Sequence, residues 1–305
     1  MKILLTGGYG LVGRNIRSHS KASKYEWLSP RSSEVNLLEY HSVLGYLHEY
    51  QPDVIIHAAG RVGGIQANMR EPVRFLIENL DMGRNLLLAA AESGVTRVIN
   101  FGSTCMYPKN RQEPLAEKDI LTGELEPTNE GYALAKITVA RLADYLCREN
   151  PSLQYKTLIP CNLYGPYDKF DPQWSHMIPA VIYKLHQAKQ QGASSVEIWG
   201  AGEARREFLY AGDLADAVIY ALENFESMPS LLNIGLGYDY TVNQYYEIAA
   251  KVIGYKGDFH HDLSKPEGMQ RKLSNTRLAQ EWGWEASHSL EQGLEKTYEY
   301  YLKNI

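Results

Sequence analysis

No stretch of this chain approaches the roughly 20 apolar residues of a membrane-spanning helix, so no membrane partner is expected. Cysteine is scarce. Cys105, Cys147 and Cys161 are the only three, and their spacing matches no metal-binding pattern, so no metal site is expected either. An odd number of thiols, with an N-terminal apolar run too short for a signal peptide, points to free cysteines in a reducing cytoplasm. A surplus of positive charge is also missing. The formal net charge of -5 gives no reason to expect a nucleic-acid partner, and an anionic ligand would need locally placed basic residues. Internal repeats, low-complexity segments and long linkers are absent. What remains is globular material, 44% hydrophobic and 22% charged over 305 residues, enough for one large domain or two smaller ones.

The first signal is at the N-terminus. Lys2 to Thr6 is a short apolar run suited to a buried parallel strand. It leads into Gly7-Gly8-Tyr9-Gly10-Leu11-Val12-Gly13, followed by a helical stretch over about 11–20. Gly8-x-Gly10-x-x-Gly13 in a strand–turn–helix context is the dinucleotide fingerprint. The glycines allow a tight turn and close approach to a pyrophosphate, and the helix N-terminus supplies N–H groups. A second strand over about 25–28 runs into Ser29-Pro30-Arg31-Ser32-Ser33. Arg31 suits the 2′-phosphate of NADP. Glu34 is the competing reading, since a carboxylate there would suit the ribose hydroxyl of NAD.

Strand-like runs recur at 53–57, 97–101 and 155–160, separated by helical stretches at 37–50, 72–93 and 131–148. This alternation predicts an α/β fold, a Rossmann-type doubly wound parallel sheet with right-handed crossovers. Ligands bind beyond the carboxyl ends of such strands, which puts Ser103 and Cys105 at the expected active edge. His57 reads as a core residue. Residues 109–129 read as a loop over the site. Beyond Pro166 the pattern changes to shorter elements, predicting a smaller C-terminal α/β substrate domain. The expected division is 1–163 plus about 207–236 for the cofactor, and about 164–206 plus 237–305 for the substrate.

Tyr132 and Lys136 lie four apart at the start of a predicted helix, hence on one face. The ammonium is expected to lower the phenol's pKa, preparing it for proton transfer to an alkoxide. The spacing alone is a chance-level pattern in a chain with 22 tyrosines. With the glycine turn and Ser103 it resembles the extended short-chain dehydrogenase/reductase family. Within that family the chain is similar to the GDP-L-fucose synthases, on Val62-Gly63-Gly64-Ile65, Gly102 through Lys109, Glu126 through Ala133, Asn162 through Pro166, Ser175 through Ala180, Trp199-Gly200, Arg206 through Leu209, and Lys265 through Leu273.

The resemblance implies NADP(H)-dependent conversion of GDP-4-keto-6-deoxy-D-mannose to GDP-L-fucose, by inversion at C3 and C5 and reduction at C4. It implies Tyr132 as proton donor to the C4 oxygen, Ser103 as a hydrogen-bond donor there, and Lys136 on the nicotinamide ribose. Cys105 and His176 would be the base and acid of epimerisation. The cofactor would contact Gly7, Gly8, Tyr9, Gly10, Leu11, Val12, Gly13, Arg31, Lys136, Asn162, Leu163 and His176. Lys184, Trp199, Arg206 and Glu267 would hold a GDP-linked 4-keto-6-deoxy sugar. A homodimer through the helices at 72–93 and 131–148 is implied as well.

Several positions depart from the family pattern: Lys184 and Glu267 stand where arginine and aspartate are usual, Asn275 replaces aspartate, and Cys161 replaces threonine. They leave reduction intact and leave the sugar open. The alternatives are C4 reduction, with or without epimerisation, of another GDP-4-keto-6-deoxy sugar such as a heptose, or GDP-colitose synthesis.

Overall fold

The computed structural model describes residues 1–171, 175–265 and 270–305. In chain order the first half comprises β1 (Lys2–Thr6), α1 (Leu11–Ser18), β2 (Glu26–Leu28), α2 (Tyr40–Tyr50), β3 (Val54–His57), α3 (Ile65–Arg70), α4 (Pro72–Glu92), β4 (Arg97–Phe101), α5 (Glu130–Glu149) and β5 (Gln154–Pro160). The second half adds β6 (Asn162–Tyr164), α6 (Met177–Gln191), β7 (Ser195–Trp199), β8 (Arg205–Arg206), β9 (Phe208–Tyr210), α7 (Ala211–Glu223) and β10 (Leu231–Ile234). It ends with β11 (Tyr240–Thr241), α8 (Val242–Ile253), β12 (Asp258–Asp262), β13 (Arg271–Lys272), α9 (Arg277–Trp282) and α10 (Leu290–Asn304).

Six strands form one sheet in the order β10-β5-β4-β3-β1-β2, every pair parallel. The sequence dictates this. Successive side chains of a strand point to opposite faces, and here both faces are apolar, as a sheet covered on two sides requires. Ile3, Leu5, Val54, Ile56 and Ile99 pack on one face with Leu214 and Val218 of α7. Leu4, Ile55 and Val98 pack on the other with Val43 of α2, Leu86 of α4 and Val139 of α5. Helices α4 and α5 pack closely: a Cβ on Gly83 would lie 2.5 Å from a Val139 methyl.

The observed helices differ from expectation mainly at their ends. Helix α1 stops at Ser18, two residues early, and α3 was not anticipated, because its six residues are too few for a periodic signal. Helix α8 starts where its cap predicted, with the Thr241 side chain accepting from the Gln244 N–H.

A second core joins Ile178, Ile182 and Leu185 of α6 with Val196 and Ile198 of β7, Tyr245 and Ala249 of α8, and Leu294 of α10. Around it lie small sheets, β11-β8-β13, β12-β7 and β6-β9. Two buried carboxylates lock this region together. Asp239 accepts from Nε of both Arg205 and Arg271, each at 2.6 Å, which fastens β8 to β13. Glu207 accepts from the backbone N–H groups of Leu236, Gly237 and Ser274 at 2.7, 3.0 and 2.8 Å. Among the described residues no helix is long and apolar enough to cross a membrane.

Candidate active site

The parallel register aligns Thr6 with His57 and His57 with Asn100, so the ends of β1, β3 and β4 open along one edge. At β1 the chain turns through Gly7 at φ +69°, and a Cβ there would sit 2.7 Å from the backbone of Ala58 and Ala59. A Cβ on Gly13 would lie 2.4 Å from the Gly7 carbonyl oxygen. Any side chain at either position would break the turn. Helix α1 begins after Gly10 with no side chain capping it, so the first-turn N–H groups of Leu11, Val12 and Gly13 stay available to an anion. These residues fit a dinucleotide pyrophosphate.

Beyond the turn, the Tyr9 ring lies between two cations. The Arg31 guanidinium is 4.3 Å from its centroid and that of Arg17 is 5.4 Å. The Glu34 carboxylate accepts the Arg31 backbone N–H at 2.7 Å, so it serves its own turn. Arg17 was missed by the sequence reading. It lies four residues past Gly13 on α1, where a basic residue in a last helical turn is ordinary.

The proton-transfer groups meet at the end of β4. Ser103 caps the short turn Thr104–Met106, its Oγ accepting the Cys105 N–H at 3.2 Å. Its hydroxyl faces the Tyr132 phenol closely enough to favour the ionised form. The Asn129 Nδ2 donates to Cys105 Sγ at 3.2 Å. Lys136, one turn along α5 from Tyr132, is buried; its Nζ donates to the Phe101 carbonyl at 2.9 Å and lies 5.8 Å from the tyrosine ring centre. The loop after β3 passes beside it, pinned by Asn79, whose amide exchanges hydrogen bonds with the Arg61 backbone at 2.9 and 3.0 Å.

The electrostatics correct one expectation. Burial raises the Tyr132 pKa well above its usual value, reinforced by Cys105 and opposed by the Ser103 hydroxyl. Lys136 does not lower it. Burial has itself pulled the lysine down to about 8, and one of its three N–H donors goes to the Phe101 carbonyl. His57 is buried, bonded to Thr6 Oγ1 at 2.9 Å, and burial with the Lys136 charge lowers its pKa to about 3, so it is a neutral core residue.

His176 stands at the N-cap position of α6 without a side-chain cap hydrogen bond, and it is exposed. Desolvation by the surrounding protein, with the Lys169 charge, still lowers its pKa. Asn162 and Leu163 open β6, the Asn162 amide donating to the Glu207 carbonyl at 3.1 Å. Cys161 is buried beside them, and burial, with the Glu207 charge adding, pushes its pKa well up, the signature of a structural thiol.

On the second core, Lys184 donates to the Glu197 carbonyl, and burial lowers its pKa. The Trp199 ring is exposed, with Nε1 bonded to the Glu197 carboxylate at 2.8 Å and Lys265 Nζ 5.6 Å from the ring centre. Arg206 lies in β8, half-buried, Nη1 on the Arg205 carbonyl at 2.8 Å. Lys184 and Trp199 thus both bond to Glu197 of β7, and Arg206 lies in the three-stranded sheet. Glu267 falls outside the described residues. Asp239 was missed, because no spacing links position 239 to 205 and 271.

Residues 3–235 match the model of the NAD-dependent epimerase/dehydratase family. The chain belongs to this family. It is an NAD(P)-dependent sugar-nucleotide epimerase/reductase with the extended short-chain dehydrogenase/reductase fold. It is 56% identical, over 99% of this chain and 98% of the relative, to GDP-L-colitose synthase of Yersinia pseudotuberculosis. It is 46% identical, over 99% and 96%, to GDP-L-fucose synthase of Azorhizobium caulinodans. A GDP-L-fucose synthetase from Naegleria fowleri, solved with NADP bound, matches with a TM-score of 0.90 at 26% identity, over 99% of this chain and 93% of that one. In this fold Ser103 lies just after β4, and Tyr132 and Lys136 lie in the first turns of α5.

Proposed function

We propose that this enzyme forms GDP-L-colitose by inverting C5 and reducing C4 of a GDP-linked 4-keto-3,6-dideoxy hexose, with NADPH as reductant. The observation that carries the choice of sugar is the 56% identity to a GDP-L-colitose synthase over nearly the whole of both chains. L-colitose is a 3,6-dideoxy sugar. Its C3 bears no hydroxyl and is no stereocentre, so C5 is the one carbon left to invert. The second reading is GDP-L-fucose formation from GDP-4-keto-6-deoxy-D-mannose, favoured by the 46% relative.

The bound nicotinamide supplies a hydride to C4. Tyr132 gives its proton to the C4 oxygen, and Ser103, whose hydroxyl acts on the phenol, holds that oxygen. Lys136 engages the nicotinamide ribose. Before reduction, Cys105 removes the C5 proton and His176 returns one from the opposite face. Loss of that proton places charge on the same C4 oxygen, so Ser103 and Tyr132 stabilise the enolate as well as the later alkoxide. Arg31, with Arg17 across Tyr9, takes the 2′-phosphate that distinguishes NADP, since Glu34 is held by its own turn. Lys184 and Arg206 meet the diphosphate, and Trp199 stacks on the base, with Glu267 completing this set. Residues 1–163 and about 207–236 serve the cofactor, and the remainder serves the sugar nucleotide.

The enzyme acts as a homodimer in the cytoplasm. Val73 and Ile77 of α4 and Leu134 and Tyr145 of α5 are exposed, an apolar face suited to a second copy; sedimentation as a monomer at micromolar concentration would remove this part.

The test offers both keto sugars with NADPH in D2O. The 3-deoxy substrate is expected to have the higher kcat/KM by about tenfold, with deuterium at C5 of an L-configured product. Preference for the 3-hydroxylated substrate, with label at C3 and C5, establishes the second reading. Turnover without label at C5 leaves a reductase alone.

A further inference from the structure

One side chain outside the roles given above touches the Cys105 sulfur. Asn129 stands just before α5, and its Nδ2 donates to Cys105 Sγ at 3.2 Å. Its Oδ1 is buried with no hydrogen-bond partner, a condition that costs stability. The side chain does not cap α5 either. Among the described contacts, the sulfur alone orients this amide.

We propose that Asn129 is a positioning residue for proton transfer at Cys105, serving the sulfur both with and without its proton. An amide carries a donor and an acceptor on one planar group. As observed, N–H faces the sulfur, the arrangement a negative sulfur needs. A half-turn of the amide brings Oδ1 to the sulfur, where it accepts S–H and gains the partner it lacks. In the step served, the C5–H bond breaks, its electron pair enters the enolate, and the proton forms S–H. No oxidant or reductant is involved. In the reset the proton leaves sulfur for solvent and the amide turns back. Neither a carboxylate nor an alkyl group can do both. The assignment rests on Cys105 being the base of the proposed reaction.

Asn129→Asp keeps the shape but only accepts, and Asn129→Leu does neither. Three quantities are measured on the full-length protein at pH 7: the rate of Cys105 alkylation by iodoacetamide, followed by peptide mass with Cys147 as internal comparison; deuterium incorporation at C5; and NADPH affinity. Both variants should alkylate at Cys105 about tenfold more slowly and lose C5 exchange in step, with NADPH affinity and the Cys147 rate unchanged. Unchanged alkylation in both variants overturns the proposal. So does a common loss of NADPH affinity and melting temperature, which marks Asn129 as merely structural. Slower alkylation with normal C5 exchange upholds the contact between Asn129 and the thiol, and removes Cys105 as the base instead.

Discussion

The half of this molecule that we assign to the cofactor and the half that we assign to the sugar nucleotide are held together in different ways. In the first, one parallel sheet with apolar faces carries the elements, and the turn proposed for the pyrophosphate is contiguous: seven residues from Gly7 to Gly13. In the second, the sheets have only two or three strands, several of them two or three residues long, and these come from distant parts of the chain. Buried carboxylates at Asp239 and Glu207 bind them where no large sheet exists. A sheet tolerates local change because its pairing is redundant. A sheet of two-residue strands tied by one carboxylate has no such reserve.

The comparison can be broken at the boundary between chemistry and binding. Tyr132→Phe should lose about a thousandfold in kcat for ketone reduction, within the usual range for removing a general acid, with NADPH affinity intact by fluorescence titration. If reduction survives, the proton comes from elsewhere and the sheet edge is only a cofactor rest.

A second test uses pH. Burial lowers the Lys136 pKa from 10.5 to about 8 in the folded protein. Between pH 8 and 10.5 the unfolded chain binds more protons than the native one, so this residue makes stability rise with pH across that window. Below pH 8 the full penalty of the buried charge is present. The cofactor-free wild type should therefore gain on the order of 3 kcal/mol relative to Lys136→Met between pH 7.5 and 11, read as the difference in urea midpoints. Parallel curves would mean that the ammonium is solvated.

In the sugar half, Asp239→Ala strands two arginines. Their side chains are 41% and 37% exposed, so the loss should be about 2 kcal/mol rather than the 3–5 of a fully buried pair. The sugar-nucleotide KM should rise while NADPH affinity holds. Equal damage to both ligands would show that the two halves fold as one unit. The smallest effect belongs to Arg31→Ala, about tenfold in NADPH affinity with NADH binding unchanged.

These contrasts explain what the sequence made legible. The glycine turn, the alternating strands and Tyr132 with Lys136 are local patterns, and each was found where its spacing placed it. Asp239, Arg17 and Asn129 were not found as functional groups. Asp239 acts on arginines 34 residues before it and 32 after it, and no periodicity records that. Asn129 lay inside the run from Glu126 to Ala133 that carried the family likeness, but its contact with sulfur exists only once the turn at Ser103 folds against α5. The pKa of Tyr132 was misjudged for the same reason. Spacing predicts a neighbour but not the dielectric around it, nor the carbonyl that the lysine prefers.

Glu207 has a further consequence. It adjoins Arg206, and its carboxylate grips backbone N–H groups after β10 and at Ser274. Under the reading proposed for Arg206, the diphosphate would be anchored beside this network, on backbone that cannot shift without breaking the three Glu207 contacts. Such an anchor would work as a ruler, holding sugar nucleotides by their phosphates at one reach whatever the substituents elsewhere on the ring.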